Sequence, residues 1–222
     1  MLSYRAPLEI ETSGSPSASV IWLHGLGANG FDFLPVVDEL AATLPLTRFI
    51  FPHAAEQPVT MNGGHRMPSW YDIIALSAEA PEDEVGIRAS IAYVNRLIEQ
   101  EMQRGIASQR IVLAGFSQGG NVALNAALRC AQPLAGALIL SSYLGLKNQL
   151  AADASAANRG LPIFLAHGTA DDVVPYPLAD SARVTLRQFG YRVEWHEYAM
   201  SHTLCAQEVL DIGNWLANVL AV

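Results

Sequence analysis

One short stretch constrains this chain more than any other: residues 115–119, with the sequence GFSQG. The apolar residues 111–114 before it predict a buried strand, and apolar residues recur at helical spacing from 120 to 130 after it. A serine between two glycines at a strand-to-helix turn is typical of a nucleophile elbow. The glycines are needed because larger side chains would collide where the chain reverses so sharply. The stretch therefore predicts a catalytic Ser117, with a simple helix N-cap as the alternative.

The composition predicts one α/β domain over residues 1–222. The chain has 222 residues, of which 51% are hydrophobic and 15% are charged, and folds of this class commonly reach ~200–250 residues as one unit. The net charge of −8 argues against a nucleic-acid partner, which needs a basic face. Two cysteines, Cys130 and Cys205, do not make a disulfide framework. We expect both to be small buried residues.

No stretch of the sequence predicts targeting or membrane insertion. Residues 1–11 lack the basic segment and apolar core of a signal peptide. The longest apolar stretch, residues 133–146, is shorter than the ~20 residues that a spanning helix needs. The sequence therefore predicts a cytoplasmic protein with no stable membrane insertion.

Strands and helices alternate along the chain, which predicts a mostly parallel sheet with helices on both faces. The predicted strands are 8–12, 18–23, 47–51, 111–114, 134–140, 163–166 and 192–198. The predicted helices are 31–44, 87–102, 120–130, 178–189 and 205–219. A short turn joins the first two strands, so we expect them to form an antiparallel edge. We expect residues 52–70 to be a long irregular loop of functional importance.

A reactive serine needs a base and a group that orients the base, and later loops offer both. His202 follows the last predicted strand, which is where this arrangement places the base. Asp171 and Asp172 follow an earlier strand, and either can accept a hydrogen bond from the imidazole. Spacing does not choose between them, and the other is expected to cap the turn before Pro175. Among the remaining histidines, His24 and His167 are predicted to fix loops and His196 to be a solvated strand residue, while His53 and His65 lie in the long loop.

The negative charge that develops on the substrate oxygen needs two backbone N–H donors. One is expected from Gln118, directly after the serine, and the other from residues 24–27. Residues 25–30 also match G-x-G-x-x-G, which is typical of dinucleotide-binding enzymes. That alternative requires an acidic residue about 20 positions later, whereas strand 47–51 is followed by proline and histidine. We therefore expect no cofactor, and no cluster with zinc-site spacing predicts a metal.

Together these motifs make the chain resemble the carboxylesterase and acyl-protein thioesterase family of small α/β hydrolases. The matching segments run nearly end to end: residues 20–27, 51–54, 58–64, 69–73 and 115–120, then His167, Gly168 and Asp171, and finally Met200 and His202. The resemblance implies an α/β-hydrolase fold without a large cap domain, and Asp171 as the acid. It also implies Leu26 and Gln118 as oxyanion donors. Ser201 and Thr203 depart from the glycine and serine that commonly flank the family's catalytic histidine.

The sequence therefore predicts a serine hydrolase that uses Ser117, Asp171 and His202 through an acyl-enzyme intermediate. The main prediction is a carboxylesterase acting on short- to medium-chain acyl esters. The alternative is an acyl-protein thioesterase or lysophospholipase-type hydrolase of longer acyl chains, so the expected partner is a small ester or an acyl thioester. A homodimer is compatible with an apolar rim around an uncapped site. A non-catalytic binding module has no feature in its favour, because no member of the triad is missing.

Overall fold

Seven strands form the central sheet of the structure, a computed structural model that describes residues 4–77 and 79–220. The nine strands of the described residues are β1 (Leu8–Glu11), β2 (Ala18–Leu23), β3 (Thr47–Phe51), β4 (Glu56–Val59), β5 (His65–Pro68), β6 (Ile111–Phe116), β7 (Gly136–Leu140), β8 (Pro162–Gly168) and β9 (Arg192–Tyr198). The order in the central sheet is β1-β3-β2-β6-β7-β8-β9. All neighbours pair parallel except β1, which is antiparallel to β3. The predicted fold class is confirmed.

Helices cover both faces of this sheet. They are α1 (Leu34–Leu40), α2 (Glu84–Gln103), α3 (Gln118–Arg129), α4 (Leu150–Asp153), α5 (Tyr176–Gln188) and α6 (Ala206–Leu220). Apolar residues of α2, α3 and α5 pack into one core cluster, and those of α1 and α6 pack into the other. Burial of these two apolar faces is the main force that holds the layers together. None of these helices combines the length and the apolar character that a membrane span requires.

The antiparallel edge differs from the predicted one, because β1 pairs with β3 and not with β2. Leu8 lies opposite Phe51 in this pairing. Both edges of β2 are already occupied by the parallel strands β3 and β6. The N–H of Thr12 donates to the carbonyl of Thr47 at 3.1 Å, which ties the end of β1 to the start of β3. The short turn between β1 and β2 therefore connects two strands that are not neighbours in the sheet.

The predicted irregular segment 52–70 contains a small antiparallel hairpin made of β4 and β5. Gly63 and Gly64 have φ angles of +66° and +79°, the left-handed conformation that tight hairpin turns favour. Pro58 lies opposite Arg66 in a sheet of only two strands, where a missing N–H donor is tolerated. The prolines and glycines in this segment therefore shape a hairpin, and the prediction of an irregular loop was wrong.

The carboxyl ends of the parallel strands meet at one edge of the sheet. The chain leaves β2 for β3 on one side and leaves β6 for β7 on the other, so the strand order reverses between β2 and β6. Ligands of open α/β sheets bind at such reversal points. The loops after β2, β6, β8 and β9 carry every residue that the sequence singles out for catalysis.

Candidate active site

The turn between β6 and α3 holds Ser117 in a conformation that side chains rarely adopt, with φ +54° and ψ −123°. A Cβ atom at Gly115 would lie 2.6 Å from the nitrogen of Gly120. A Cβ atom at Gly119 would lie 2.7 Å from the carbonyl carbon of Leu23. Real Cβ atoms do not approach backbone so closely, so both positions require glycine. This confirms the steric argument for an elbow.

Within the part of the chain that the structure describes, the hydroxyl group of Ser117 has no hydrogen-bond partner. Ser117 occupies the N-cap position of α3, but its side chain makes no capping hydrogen bond. Its backbone is held instead, because its N–H donates to the carbonyl of Leu140 at 2.9 Å. The Ser142 hydroxyl donates to the carbonyl of Ser117 at 2.6 Å. Ser117 is therefore the N-cap residue by position, but its side chain does not cap the helix.

The loop after β8 places the two adjacent aspartates in different environments. Oδ2 of Asp171 lies 2.7 Å from Nδ1 of His202, while Oδ1 accepts hydrogen bonds from the N–H groups of Val173 at 2.9 Å and Val174 at 2.8 Å. The Asp171 side chain is 0% exposed, whereas Asp172 is exposed. Asp171 thus faces the histidine and caps the turn at the same time. The expectation that the second carboxylate caps this turn was wrong.

The imidazole of His202 stands between this carboxylate and the elbow. Because Nδ1 faces Asp171, that nitrogen carries the hydrogen and Nε2 is free to accept a proton. The ring also packs against Phe116, the residue before Ser117, with 4.6 Å between ring centroids. Within the described residues His202 and Ser117 are not yet joined by a hydrogen bond. Such bonds are often long in ligand-free enzymes and tighten when substrate binds.

The loop after β2 lies against the elbow from the other side. A Cβ atom at Gly25 would be 3.4 Å from Cβ of Ser117. The N–H of Gly27 is committed, because it donates to the carbonyl of Pro68 at 2.8 Å. The N–H of Leu26, one residue earlier, has no hydrogen-bond partner in residues 4–77 and 79–220. The fold therefore leaves this N–H without a hydrogen-bond partner among those residues.

Gln118 contributes in two ways. Its N–H opens α3 and has no partner within the helix, so it sits where the helix dipole favours negative charge. Its side chain is held by three hydrogen bonds, which together we call the clamp. Oε1 accepts from the Trp70 N–H at 3.0 Å. Nε2 donates to the Ser69 hydroxyl at 2.9 Å and to the Tyr71 carbonyl at 2.7 Å. Sequence reasoning missed this clamp. The bonds join residues 47 to 49 positions apart, so no local pattern shows them.

Two other histidines fix the loops of this site, as their positions predict. Nδ1 of His24 bonds the carbonyl of Gly25 at 2.7 Å, and its Nε2 accepts from the N–H of Ala54 at 3.0 Å. Burial lowers the pKa of His24 to about 4, so the ring stays neutral at neutral pH. Nε2 of His167 bonds the carbonyl of Val174 at 2.9 Å. Burial also lowers the pKa of His167.

A buried carboxyl group lies just beyond the His202 loop, in the first turn of α6. The Glu208 side chain is 0% exposed, and neither of its oxygens has a hydrogen-bond partner within the described residues. Burial, with the Asp211 carboxylate nearby, raises the pKa of Glu208 from 4.5 to about 8. The folded protein therefore keeps this group protonated at neutral pH, whereas the unfolded chain ionises it.

We expect Glu208→Gln to change how stability depends on pH. In the wild type the folded state holds a proton that the unfolded chain releases above its pKa of 4.5, so the free energy of unfolding falls as pH rises towards about 8. Glutamine cannot ionise, so this pH-dependent loss is absent from the variant. The free energy of unfolding of the variant relative to the wild type should therefore increase as the pH rises from about 5 to about 8.5. Urea unfolding at a series of pH values measures this, with the exposed Glu99→Gln as control. Parallel curves for wild type and Glu208→Gln would contradict the assignment.

Comparison with known sequences finds similar proteins. Residues 7–220 match the family model described as Phospholipase/Carboxylesterase. The chain is 41% identical to acyl-protein thioesterase 1 of Neurospora crassa, over 99% of this chain and 94% of that protein. It is 37% identical to acyl-protein thioesterase 1 of Yarrowia lipolytica, over 94% of this chain and 95% of that protein.

Solved structures share the fold. Acyl-protein thioesterase 2 of Zea mays superposes with a TM-score of 0.89 at 30% identity, over 98% of this chain and 100% of that one. SOBER1 of Arabidopsis thaliana superposes with a TM-score of 0.86 at 27% identity, over 91% of this chain and 99% of that one. The elbow, the strand order and the family match over residues 7–220 lead to one conclusion. The chain belongs to the phospholipase/carboxylesterase family of small α/β hydrolases.

Proposed function

We propose that this protein is a serine hydrolase of acyl thioesters, with Ser117 as nucleophile, His202 as base and Asp171 as the group that orients the base. The observation that carries the proposal is the 2.7 Å contact between Asp171 Oδ2 and His202 Nδ1, placed beside the elbow at the carboxyl edge of the sheet. Ser117 is strained and makes no capping hydrogen bond, and within the described residues the Leu26 N–H has no backbone hydrogen-bond partner. This combination suits attack on a carbonyl carbon.

The first half-reaction acylates the enzyme. His202 Nε2 takes the proton of Ser117 as the serine oxygen attacks the acyl carbonyl. The N–H groups of Leu26 and Gln118 stabilise the resulting oxyanion, a contribution typically worth ~10²–10³ in turnover for each donor. Asp171 stabilises the imidazolium, which then protonates the leaving group. The bond between carbonyl carbon and leaving atom breaks, and an acyl-Ser117 ester remains.

The second half-reaction frees the acid. Water replaces the leaving group, and His202 takes its proton as the oxygen attacks the acyl-enzyme carbonyl. The same two N–H groups stabilise the second oxyanion. Collapse of that intermediate returns the proton to Ser117 and releases the carboxylic acid. The whole cycle uses only groups of this chain and water.

The named relatives favour the alternative sequence prediction, a thioesterase, over the main prediction of a short-chain carboxylesterase. The relatives in Neurospora crassa, Yarrowia lipolytica and Zea mays all carry the name acyl-protein thioesterase. Sequence motifs alone could not make this choice. An ester and a thioester share the carbonyl carbon that the serine attacks, and they differ only in the leaving atom.

A matched pair of substrates tests the proposal: one peptide acylated on a cysteine sulfur, and the same peptide acylated on a serine oxygen. We expect a kcat/KM at least tenfold higher for the thioester, because a thiol has a pKa near 8.5 and leaves readily as thiolate. The comparison is repeated for acyl chains of increasing length. Preference for the oxygen ester, with a steep fall beyond short chains, would instead support a general carboxylesterase.

A further inference from the structure

A cavity of about 250 Å³ is walled by segments that adjoin the elbow, although Ser117, Gln118 and His202 are not among its lining residues. Its walls come from the segment after Trp70, the loop after β7 and one side of α5, and they include Tyr71, Ile73, Leu76, Tyr143, Leu144 and Leu178. Two of these walls are bonded to the elbow itself. The carbonyl of Tyr71 accepts from the Gln118 side chain at 2.7 Å. The residue before Tyr143 is Ser142, whose hydroxyl donates to the Ser117 carbonyl at 2.6 Å.

The two tyrosine hydroxyls in this cavity wall belong to a chain of hydrogen bonds whose direction can be worked out. Oδ1 of Asn121 lies 2.7 Å from the N–H of Gly145, which can only donate. That contact fixes the orientation of the Asn121 amide, so Nδ2 is the atom that faces Tyr71. Nδ2 lies 2.8 Å from the Tyr71 hydroxyl and donates to it. The Tyr71 oxygen is therefore an acceptor in this bond.

The contact between the two tyrosine hydroxyls uses only one of their two hydrogens. The hydroxyls of Tyr71 and Tyr143 are 2.6 Å apart, and one hydrogen serves that contact. Either hydroxyl could donate in that contact. Tyr71 is buried and its hydrogen has no other acceptor within the described residues, so its donation to Tyr143 avoids an unsatisfied buried donor. The hydrogen of Tyr143 then has no acceptor within the described residues. Tyr143 is half-buried and lines the cavity, so this hydrogen is directed to the cavity.

Each donor in this chain strengthens the next, since hydrogen bonds in series polarise one another. Burial raises the pKa of Tyr143 to about 12, so its hydroxyl keeps its hydrogen at neutral pH. The adjacent wall is apolar, with Ile73 and Leu144. A ligand that lies against this wall therefore meets hydrocarbon beside the Tyr143 hydroxyl, while Asp72, Glu82 and Lys147 add charged groups elsewhere in the lining.

We propose that Tyr143 is a specificity-determining residue, whose hydroxyl donates a hydrogen bond to an oxygen atom carried along the acyl chain of the substrate. The chemical class that this selects is oxo- or hydroxyacyl esters and thioesters, in preference to plain hydrocarbon acyl groups of the same length. This inference rests on the proposed function, because it assumes that the acyl group attached to Ser117 extends into the neighbouring cavity.

Two substrates with the same leaving group test it: a hexanoyl thioester and a 5-oxohexanoyl thioester. We expect the wild type to show a kcat/KM about three- to tenfold higher for the oxo substrate, the range that one neutral hydrogen bond supplies. Tyr143→Phe keeps the ring and removes the donor, so the ratio of the two kcat/KM values should fall to about one. Tyr176→Phe is the matched control, because Tyr176 lies outside the cavity lining and its hydroxyl bonds Glu197.

A wild-type ratio of one, or a preference that survives in Tyr143→Phe, would overturn the inference. So would an equal loss on both substrates in that variant, because this is the signature of a structural role. Failure of the proposed function looks different. In that case the wild type hydrolyses neither substrate, or Ser117→Ala hydrolyses both as fast as the wild type does.

Discussion

Replacing Ser117 by alanine is expected to reduce acyl hydrolysis by about four to six orders of magnitude, the loss typical of a missing serine nucleophile. The variant keeps the Leu26 and Gln118 N–H groups and the cavity, so substrate binding should survive. The measurement is kcat and KM for a thioester substrate, with Ser13→Ala as control because Ser13 is exposed in the turn between β1 and β2. We expect the loss to appear in kcat.

The same substitution should leave the free energy of unfolding unchanged within about 0.5 kcal/mol, or raise it slightly. Alanine keeps the Cβ atom, so the strained φ of +54° meets no new clash. The Ser117 hydroxyl makes no capping bond to α3, and its removal leaves no buried partner unsatisfied. Full activity in a well-folded Ser117→Ala variant would remove Ser117 from the mechanism. If Ser117→Ala loses activity and also unfolds, the result would assign Ser117 a structural role only.

The elbow could be predicted from sequence because its constraint is local. Residues 111–130 contain the strand, the two glycines, the serine and the helix, and the steric conflict arises among backbone atoms a few positions apart. The approach of Gly119 to β2 is the exception, since it depends on strand order. The bounds of β2, β3 and β9 agree with the predicted strands for the same reason. Short apolar or alternating runs between turn residues specify them.

The features that sequence reasoning missed depend on contacts between distant segments. A turn of a few residues favours pairing of β1 with β2. The pairing of β6 with β2 occupies one edge of β2, and no local sequence pattern shows this. The choice between Asp171 and Asp172 rested on the family resemblance. Only the folded loop shows that the N–H groups of Val173 and Val174 turn Asp171 inward. The clamp on Gln118 depends in the same way on where the hairpin places residues 69–71.

Replacing His202 by alanine is expected to lower kcat by about five to six orders of magnitude and to leave KM nearly unchanged, because the base acts in proton transfer and not in binding. The control is His196→Ala. His196 lies on β9, stacks on Phe164 with 4.4 Å between ring centroids and bonds Glu194 at 2.8 Å. The side chain is 25% exposed, so the predicted solvated strand residue is packed on one face and partly open to solvent. An effect of His202→Ala on KM alone would remove His202 from the role of base.

The carboxylate behind the imidazole provides the sharpest control, because the chain offers two adjacent aspartates. Asp171→Asn replaces the acceptor at Nδ1 by an amide and favours the wrong imidazole tautomer, so we expect kcat to fall by about 10⁴-fold. Asp172→Asn changes an exposed side chain one position away and should leave kcat unchanged. The loss in Asp171→Asn should add little to that of His202→Ala in the double variant, since both remove the same proton transfer. Full additivity of the two losses would mean that Asp171 acts independently of the imidazole.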